Sequence, residues 1–341
     1  MFHRRSTWFA CIAIAIATTL LALRWTPAWW WLAVPALVLS VLGLADVLQA
    51  RSTLRRLYPV SAHVRYGLES IRTEIRQYFI EDNLVEVPFS REKRALVYQR
   101  AKSERDTVPF GSEHDPYSLA YEWINHSLVP AHAESHDFRV LVGGAQSVPY
   151  DASVFNISAM SFGALSANAI RALNEGARRG RFYHDTGEGS ISSYHRERGG
   201  DLVWEIGSGY FGCRDGEGRF DAVRFAENAR DPQVKMIELK LSQGAKPGHG
   251  GMLPGAKVTA EIAAARGVPV GVDCVSPASH PEFSTPLELL AFIARLRELS
   301  GGKPTGFKLA IGHPWEWFGV AKAMLDTGIV PDFIIVDGAE G

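Results

Sequence analysis

The sequence predicts an α/β protein of the (β/α)₈ (TIM) barrel class, with about six of the eight strands present. A helical segment and an N-terminal transmembrane hairpin precede the barrel. From residue 154 onward, strand-like and helix-like runs alternate, which predicts parallel strands with crossover helices. Polar or glycine residues follow nearly every predicted strand, as expected where strand ends converge on one mouth of a barrel. We therefore expect a hairpin over 1–50, a helical connecting segment over 51–150 and the barrel over 151–341.

The composition excludes some classes of function. The formal net charge is −1 for 341 residues, so nothing favours a nucleic-acid partner. The three cysteines, Cys11, Cys213 and Cys274, are far apart and form no C-x-x-C pair. We interpret them as unpaired thiols of a reducing compartment and expect neither a disulfide framework nor a metal site.

Two apolar runs near the N-terminus, Trp8–Leu23 and Trp29–Ala45, predict a transmembrane hairpin. Each run approaches the roughly 20 residues that a membrane-spanning helix needs. Basic residues flank the hairpin on both sides: Arg4, Arg5, Arg51, Arg55 and Arg56. By the positive-inside rule, we expect a multi-pass protein of the inner or plasma membrane with a cytoplasmic catalytic part. A cleaved signal peptide is disfavoured, because no small-x-small site precedes Trp25 and a second apolar run follows.

The segment after the hairpin has helical spacing in three places and shows no catalytic constellation. Apolar residues recur on one helical face over Leu68–Phe79. Ser90 is a candidate N-cap for a helix that continues to Lys102, and Tyr117–Leu128 is predicted as a third helix.

The barrel region contains six predicted strands and five predicted helices. The strands are Val154–Met160, Arg181–Asp185, Val234–Leu241, Val268–Val275, Thr305–Ile311 and Asp332–Val336. The helices are Ala164–Arg179, Phe220–Ala229, Val258–Arg266, Pro286–Leu299 and Trp315–Thr327. No G-x-G-x-x-G fingerprint follows the first strand, which favours a barrel over a doubly wound sheet. Strands seven and eight are expected beyond Gly341.

Two glycine- and serine-rich segments are candidate ligand loops. Ser158–Ser166 leaves the first strand with small residues that let a planar ring lie against the backbone, although it also suits a plain strand-to-helix turn. Gln243–Gly255 holds five glycines and the single Lys246, which suits an anionic ligand. It is not a Walker A loop.

Five charged or titratable positions are ambiguous from the residues alone. Lys240 and Lys308 lie inside apolar strands, where each suits either a structural salt bridge or the stabilisation of an anionic ring. Glu188 is compatible with three roles: a general base, a residue that anchors the substrate, and a charged residue of a surface loop. His184 and His195 flank it and are left unassigned, because lone histidines are more often structural.

Four motifs, in order, resemble the central synthase domain of glutamate synthase, in its FMN-binding stand-alone branch. The resemblance extends from about Ile71 to the end of the chain. The motifs are Ile157–Ser166, His184–Gly189, Lys240–Gly248 and Val336–Gly341.

The resemblance implies an oxidoreductase that makes L-glutamate from 2-oxoglutarate and ammonia, by hydride transfer from reduced FMN to 2-iminoglutarate. The implied catalytic residues are Glu188 and Lys308. The implied FMN-binding residues are Met160, Ser161, Gly163, Lys240, Gln243, Lys308, Asp337 and Gly338. The implied 2-oxoglutarate-binding residues are Glu188, Lys246 and Arg266.

The chain also departs from the family pattern. A membrane hairpin stands where the large enzymes carry a glutaminase domain, and iron–sulfur ligands are expected only in a longer chain. The electron donor, a protein or NAD(P)H, is left open. His249 and Met252 replace an expected Glu and Gln, which predicts relaxed substrate choice. Two alternatives remain: an FMN barrel acting on another 2-oxo or 2-hydroxy acid, and a non-catalytic membrane protein with a truncated barrel.

Overall fold

In the computed structural model, the chain divides into two compact units, residues 1–125 and 126–341. The structure describes residues 5–84, 89–105, 113–125, 127–339 and 341. Arg4, one of the predicted flanking cations, lies outside these ranges. The predicted barrel region, 151–341, falls within the second unit.

The first unit begins with a helical hairpin formed by α1 (Ser6–Arg24) and α2 (Trp30–Leu48). The indole Nε1 of Trp8 donates a hydrogen bond to the Ser40 carbonyl at 2.9 Å. The indole lies directly on Gly43, where a Cβ atom would fall 2.1 Å from the ring. Both helices are long and apolar enough to cross a membrane by length and composition, with mean hydropathy of 2.0 and 2.1.

The rest of the first unit is made of short helices. They are α3 (Thr53–Leu57), α4 (Ser61–Ser70), α5 (Arg72–Ile75), one π-helical turn (Arg76–Ile80) and α6 (Arg91–Ala101). Helical structure is thus confirmed over most of Leu68–Phe79 and of the segment from Ser90 to Lys102. The Ser90 Oγ caps α6 by accepting a hydrogen bond from Lys93 N. The helix predicted from Tyr117 is wrong over the described residues, which form a turn and an irregular segment. The side chains of Tyr117 and Leu119 are fully exposed, so no apolar face is buried to stabilise a short helix.

The second unit is built on a parallel sheet of five strands in the order β3-β4-β5-β8-β9. These strands are β3 (His184–Asp185), β4 (Leu202–Ile206), β5 (Val234–Lys240), β8 (Thr305–Leu309) and β9 (Ile334–Val336). Two antiparallel pairs stand apart from it: β1 (Arg139–Val142) with β2 (Tyr150–Ser153), and β6 (Met252–Leu253) with β7 (Cys274–Val275). The helices are α7 (Ala167–Gly180), α8 (Ser193–Arg196), α9 (Ala222–Ala229), α10 (Ala260–Arg266), α11 (Pro286–Leu299) and α12 (Pro314–Thr327). This is the half-barrel sheet of a TIM-like α/β fold.

Two of the predicted strands differ from the observed sheet. The segment Val154–Met160 contributes only an isolated parallel bridge, between Ile157 and His184. The segment Val268–Val275 does not enter the parallel sheet, because Gly271 has φ +74° and Val270 is exposed; only its last two residues pair, with β6.

One strand of the sheet, β4, was missed by the sequence analysis. All five of its residues are buried and it pairs on both sides, with β3 and β5. Its sequence signal is a short apolar run between Gly200 and Gly207, interrupted by the acidic Glu205.

The main core lies where α9 and α11 cover the sheet. Trp204 of β4 stacks on Phe225 of α9, with ring centroids 5.4 Å apart. Leu290 of α11 is completely buried in the same cluster. Helix α11 begins where predicted because Thr285 and Glu288 form a capping box and Pro286 occupies the first turn. The packed helices hold β5 and β8 together and thereby position the strand ends that carry the site.

A buried lysine binds the backbone of the connection between α9 and β5. Lys303 Nζ donates to three backbone carbonyls, those of Ala229 at 2.5 Å, Asp231 at 2.7 Å and Val234 at 2.6 Å. We expect Lys303→Met to lower the free energy of unfolding by about 2 kcal/mol, because the carbonyls lose their donor. Urea denaturation of the full chain measures this. Lys257→Met, at an exposed position, is the control and should change stability little.

Candidate active site

A cavity of about 480 Å³ lies at the carboxyl ends of the parallel strands. Its lining includes Glu188 from the loop after β3, Gln243 from the loop after β5 and Asp337 from the loop after β9. This is the mouth at which barrel enzymes carry their active sites. The volume falls in the range typical of small-molecule and cofactor sites.

One wall of the cavity is formed by small residues and bare backbone. Ser158, Ala159 and Ser161 line it together with Gly187. Gly187 has φ +65°, and a Cβ atom there would fall 2.6 Å from the Ser161 backbone nitrogen. The Ser161 hydroxyl accepts from Gly189 N at 3.2 Å, which joins the Ser158–Ser166 loop to the loop after β3. No side chain fits between these two loops at Gly187, so this wall consists of backbone and small side chains.

Glu188 and Lys240 form an ion pair at the cavity. Lys240 Nζ lies 3.3 Å from Glu188 Oε1, and it donates to Gln243 Oε1 at 2.9 Å. Two glycines leave room for the carboxylate: a Cβ at Gly251 would fall 2.5 Å from Oε1, and one at Gly207 would fall 2.8 Å from Oε2. The position of Glu188 is thus set by a cation on one side and by the absence of side chains on two others.

A buried histidine fixes the end of β5, from which Lys240 projects. His280 Nε2 donates to the Lys240 carbonyl at 2.7 Å, so its Nδ1 accepts from the Tyr210 hydroxyl at 3.1 Å. Burial lowers the pKa of His280 to about 4, and the ring is therefore neutral. Tyr210 itself has φ +48°, a left-handed backbone conformation that a non-glycine residue adopts only where its surroundings enforce it.

Beneath the Glu188–Lys240 ion pair lies a buried group of four charged side chains. We call this group the acidic floor: Asp185, Glu205, Glu238 and Lys308. The three carboxylates lie within 4.8 Å of one another. Lys308 Nζ forms an ion pair with Glu205 and lies 3.6 Å from Glu238 Oε1. All four residues line the cavity, and each is at most 5% exposed.

Burial and mutual repulsion shift the proton affinities of the floor. Burial, followed by the charge of Glu205, raises the pKa of Asp185 to about 7. Burial and the neighbouring Asp185 raise the pKa of Glu238 well above its ordinary value. Burial alone would lower the pKa of Lys308, but the carboxylates outweigh it and raise the pKa above its ordinary value.

Most of the residues implied by the resemblance meet in this cavity. Those that line it are Met160, Ser161, Glu188, Lys240, Gln243, Lys246, Lys308 and Asp337. Lys246 is exposed, whereas Lys240 and Glu188 are largely covered.

Three of the implied residues do not line the cavity. Arg266 is buried, donates to the Phe162 carbonyl at 3.2 Å and packs over the Phe211 ring at 5.2 Å. Its guanidinium therefore supports the core, and its position does not support the implied role in substrate binding. Gly163 lies in that same core beside Arg266, and Gly338 presents its carbonyl to the loop after β5.

Neither of the two departures from the family pattern lines this cavity, but His249 lines a small neighbouring pocket together with Glu188 and Lys246. Met252 is 66% exposed on β6, so its side chain gives no support to the predicted relaxation of substrate choice. His249 is exposed, with Nδ1 3.0 Å from the Pro247 carbonyl.

Sequence reasoning missed the three acids of the floor. Glu238 lies two residues before Lys240 in an otherwise apolar strand, and Glu205 lies in β4. An acidic residue inside an apolar strand indicates a buried, paired charge and therefore a candidate site residue, because burial of an unpaired charge is unfavourable. The unassigned His184 and His195 are buried with ring centroids 5.1 Å apart and lie outside the cavity lining. Burial lowers their pKa values to about 4 and about 3, so both rings are neutral.

Comparison with known proteins identifies the family of this chain. Residues 132–341 match the family model described as the conserved region in glutamate synthase. The chain is 34% identical to the glutamate synthase large subunit-like protein YerD of Bacillus subtilis, over 91% of this chain and 66% of that protein. It is 35% identical to the archaeal-type glutamate synthase [NADPH] of Thermotoga neapolitana, over 54% of this chain and 33% of that enzyme. It is 29% identical to the archaeal glutamate synthase [NADPH] of Methanocaldococcus jannaschii, over 66% of this chain and 41% of that enzyme.

The match thus covers more than half of this chain, while the chain spans from a third to two thirds of the length of these relatives. The chain belongs to the glutamate synthase family of oxidoreductases.

Proposed function

We propose that this chain carries the catalytic cavity of an FMN-dependent oxidoreductase that forms L-glutamate from 2-oxoglutarate and ammonia. The observation that carries the proposal is the meeting of Glu188, Lys240 and Lys246 beside a wall of small residues in a 480 Å³ cavity. The names of the relatives in the family support the same reaction.

The residues present fit the planar ring of FMN. The close approach of Gly187 to Ser161 leaves a wall of backbone and small side chains, which suits a planar ring, and Met160 and Leu165 add apolar surface to the lining. Gln243 and Lys240 supply polar groups at the same cavity. FMN, when bound, supplies the hydride for the reduction.

The chain's own residues then bind and orient the substrate. Ammonium groups bind carboxylates by charge-assisted hydrogen bonds, so Lys246, exposed at the mouth, is suited to capture 2-oxoglutarate. Lys240 is paired with Glu188, and the two together present a donor and an acceptor. The Glu188 carboxylate is suited to hold ammonia, and afterwards the nitrogen of the imine, through N–H hydrogen bonds. Binding both reactants in this orientation makes their reaction effectively unimolecular, which lowers its entropic cost.

The test is glutamate formation by the full chain loaded with FMN. With chemically reduced flavin, we expect flavin reoxidation and L-glutamate when 2-oxoglutarate and ammonium are both present. Glu188→Gln should lower kcat/KM for ammonium by about 10²-fold, because the amide cannot accept hydrogen bonds through both of its terminal atoms. Glu316→Gln, at an exposed position of α12, is the control and should leave the rate unchanged.

Shorter and monocarboxylic 2-oxo acids, compared in the same assay, measure substrate choice. A flavin-loaded protein that turns over none of these acids would contradict the proposed reaction. An unchanged rate in Glu188→Gln would remove that residue from the mechanism.

We also propose that α1 and α2 anchor the chain in the membrane with both ends cytoplasmic. Their length and mean hydropathy support this, as do Arg51, Arg55 and Arg56, which follow the hairpin. A fluorescent reporter that folds only in the cytoplasm should be active when fused after Arg56 and inactive when fused after Thr26, in the turn. Activity of an export-dependent phosphatase fused after Arg56 would contradict this orientation.

A further inference from the structure

The acidic floor carries more negative groups than its one cation can match. With all four side chains ionised, three carboxylates and one ammonium give a net charge of −2. Lys308 is shared between Glu205 and Glu238, and among the described residues Asp185 forms no ion pair, so Asp185 and Glu238 are neighbouring acids without a full counter-charge. Two buried acids this close cannot both be ionised without strong repulsion.

Glu238 shows the imbalance most directly. Its side chain is fully buried, its carboxyl oxygens have no hydrogen-bond donor from an ionised or neutral neighbour among the described residues, and its contact with Asp185 is a hydrogen bond only when one of the two acids carries a proton. It comes from β5 and faces Asp185 from β3, Glu205 from β4 and Lys308 from β8. Tyr183, the remaining titratable neighbour, has its pKa raised to about 12 by burial and by Asp185, and it is neutral. The environment therefore favours a protonated carboxyl at Glu238.

We propose that Asp185 and Glu238 form a proton store beneath the ligand cavity. At pH 8 the pair holds one proton in the absence of an anion and takes up a second from solvent when an anionic ligand binds. The proton binds a carboxylate oxygen, and it returns to solvent when the anion leaves. The inference rests on the proposed function only for the identity of that anion.

The placement of the pair couples it to the ligand. Both acids line the cavity, and negative charge brought into a buried site raises the proton affinity of nearby carboxylates. The pKa of Asp185, raised by burial to about 7, leaves this group able to gain a proton in the physiological range. Uptake should therefore be larger at pH 8, where Asp185 starts ionised, than at pH 6.

Infrared spectroscopy of the full chain tests the store, because a neutral carboxylic acid has its own C=O absorption. In the wild-type protein this absorption should persist at pH 7, and it should grow when 2-oxoglutarate is added at pH 8, with the ketone carbon of the ligand labelled with carbon-13 so that its own C=O absorption is displaced. Glu238→Gln should remove the absorption seen before addition, and Asp185→Asn should remove the growth. Asp326→Asn, at an exposed position of α12, is the matched control and should change neither.

The wild-type titration alone can overturn the proposal, whatever the variants do. Absence of a neutral-acid absorption at pH 7 would show that no proton is stored, and an absorption that does not grow with 2-oxoglutarate would disprove the coupling. Failure to form glutamate, with both spectral changes present, would count against the proposed function alone. Glutamate formation without them would count against the store alone.

Discussion

Replacing Lys308 by methionine is expected to lower the free energy of unfolding by about 3–5 kcal/mol at pH 8, the usual effect of removing one partner of a buried ion pair. Lys308 is the cation that pairs with Glu205 in the acidic floor. Methionine has a similar length and no charge, so the loss comes from the uncompensated carboxylates. Chemical denaturation of the full chain at several pH values measures it.

The pH dependence of the unfolding free energy shows whether the loss in Lys308→Met comes from the carboxylates. The pKa of Asp185 in the folded protein, about 7, lies above its ordinary value of 3.8, because burial and Glu205 raise it. The folded state therefore holds a proton that the unfolded state releases, and this stabilisation is full below pH 4 and lost as the pH rises through 7. Without Lys308 the carboxylates repel more strongly, so the deficit of the variant should grow from pH 5 to pH 8.

Two further variants separate charge from packing. Adding Glu205→Gln to Lys308→Met should recover part of the lost stability, because the unpaired carboxylate is removed together with its partner. Lys322→Met, at an exposed position of α12, should have little effect. A deficit that does not depend on pH would assign the role of Lys308 to packing.

The second large effect is expected from a single methyl group. Gly251→Ala should lower kcat/KM for glutamate formation by about 10²-fold, because its Cβ would fall 2.5 Å from Glu188 Oε1 and must displace the carboxylate. The backbone at Gly251 is not in the left-handed region, so alanine fits there without backbone strain. Steady-state kinetics with 2-oxoglutarate and ammonium measure the loss.

A matched glycine provides the control. Gly312 also lies in a loop after a strand of the sheet, but no atom lies within 4 Å of its Cβ position. Gly312→Ala should keep the wild-type rate and the wild-type thermal stability. Equal rates for Gly251→Ala and the wild type would show that the position of Glu188 is unimportant.

The sequence predicted those parts of the fold that depend on local pattern. Helix α11 was found with its true ends because Thr285 and Glu288 cap it and Pro286 starts it. The ligand loops were found because glycine and lysine at strand ends have a direct chemical meaning. Strand β4 was missed because Glu205 interrupts its apolar run, and a buried acid is acceptable only in the presence of a partner from β8 that is 103 positions away.

The role implied for Arg266 also depends on contacts that are distant in sequence. A helix-terminal arginine near a ligand loop suits an anion, and nothing local shows that its guanidinium is buried against Phe162 and Phe211. The exposure of Met252 likewise depends on the pairing of β6 with β7, which lies outside the parallel sheet. Contacts distant in sequence decided each of these positions.

The order of strands in the sheet has a consequence for how the chain folds. The pairing of β3 with β4 joins His184 to Leu202, whereas the pairing of β5 with β8 joins Ile237 to Thr305. The second pairing closes a loop of 68 positions (305 − 237) instead of 18 (202 − 184), which costs about 1 kcal/mol more in chain entropy. Strands β3, β4 and β5 are therefore expected to assemble first, and these three strands carry all the carboxylates of the floor. Until β8 docks and brings Lys308, the three acids of the floor lack the cation that pairs with them in the folded protein, and they must stay hydrated or protonated. Docking of β8 is then the step that allows water to leave the interior.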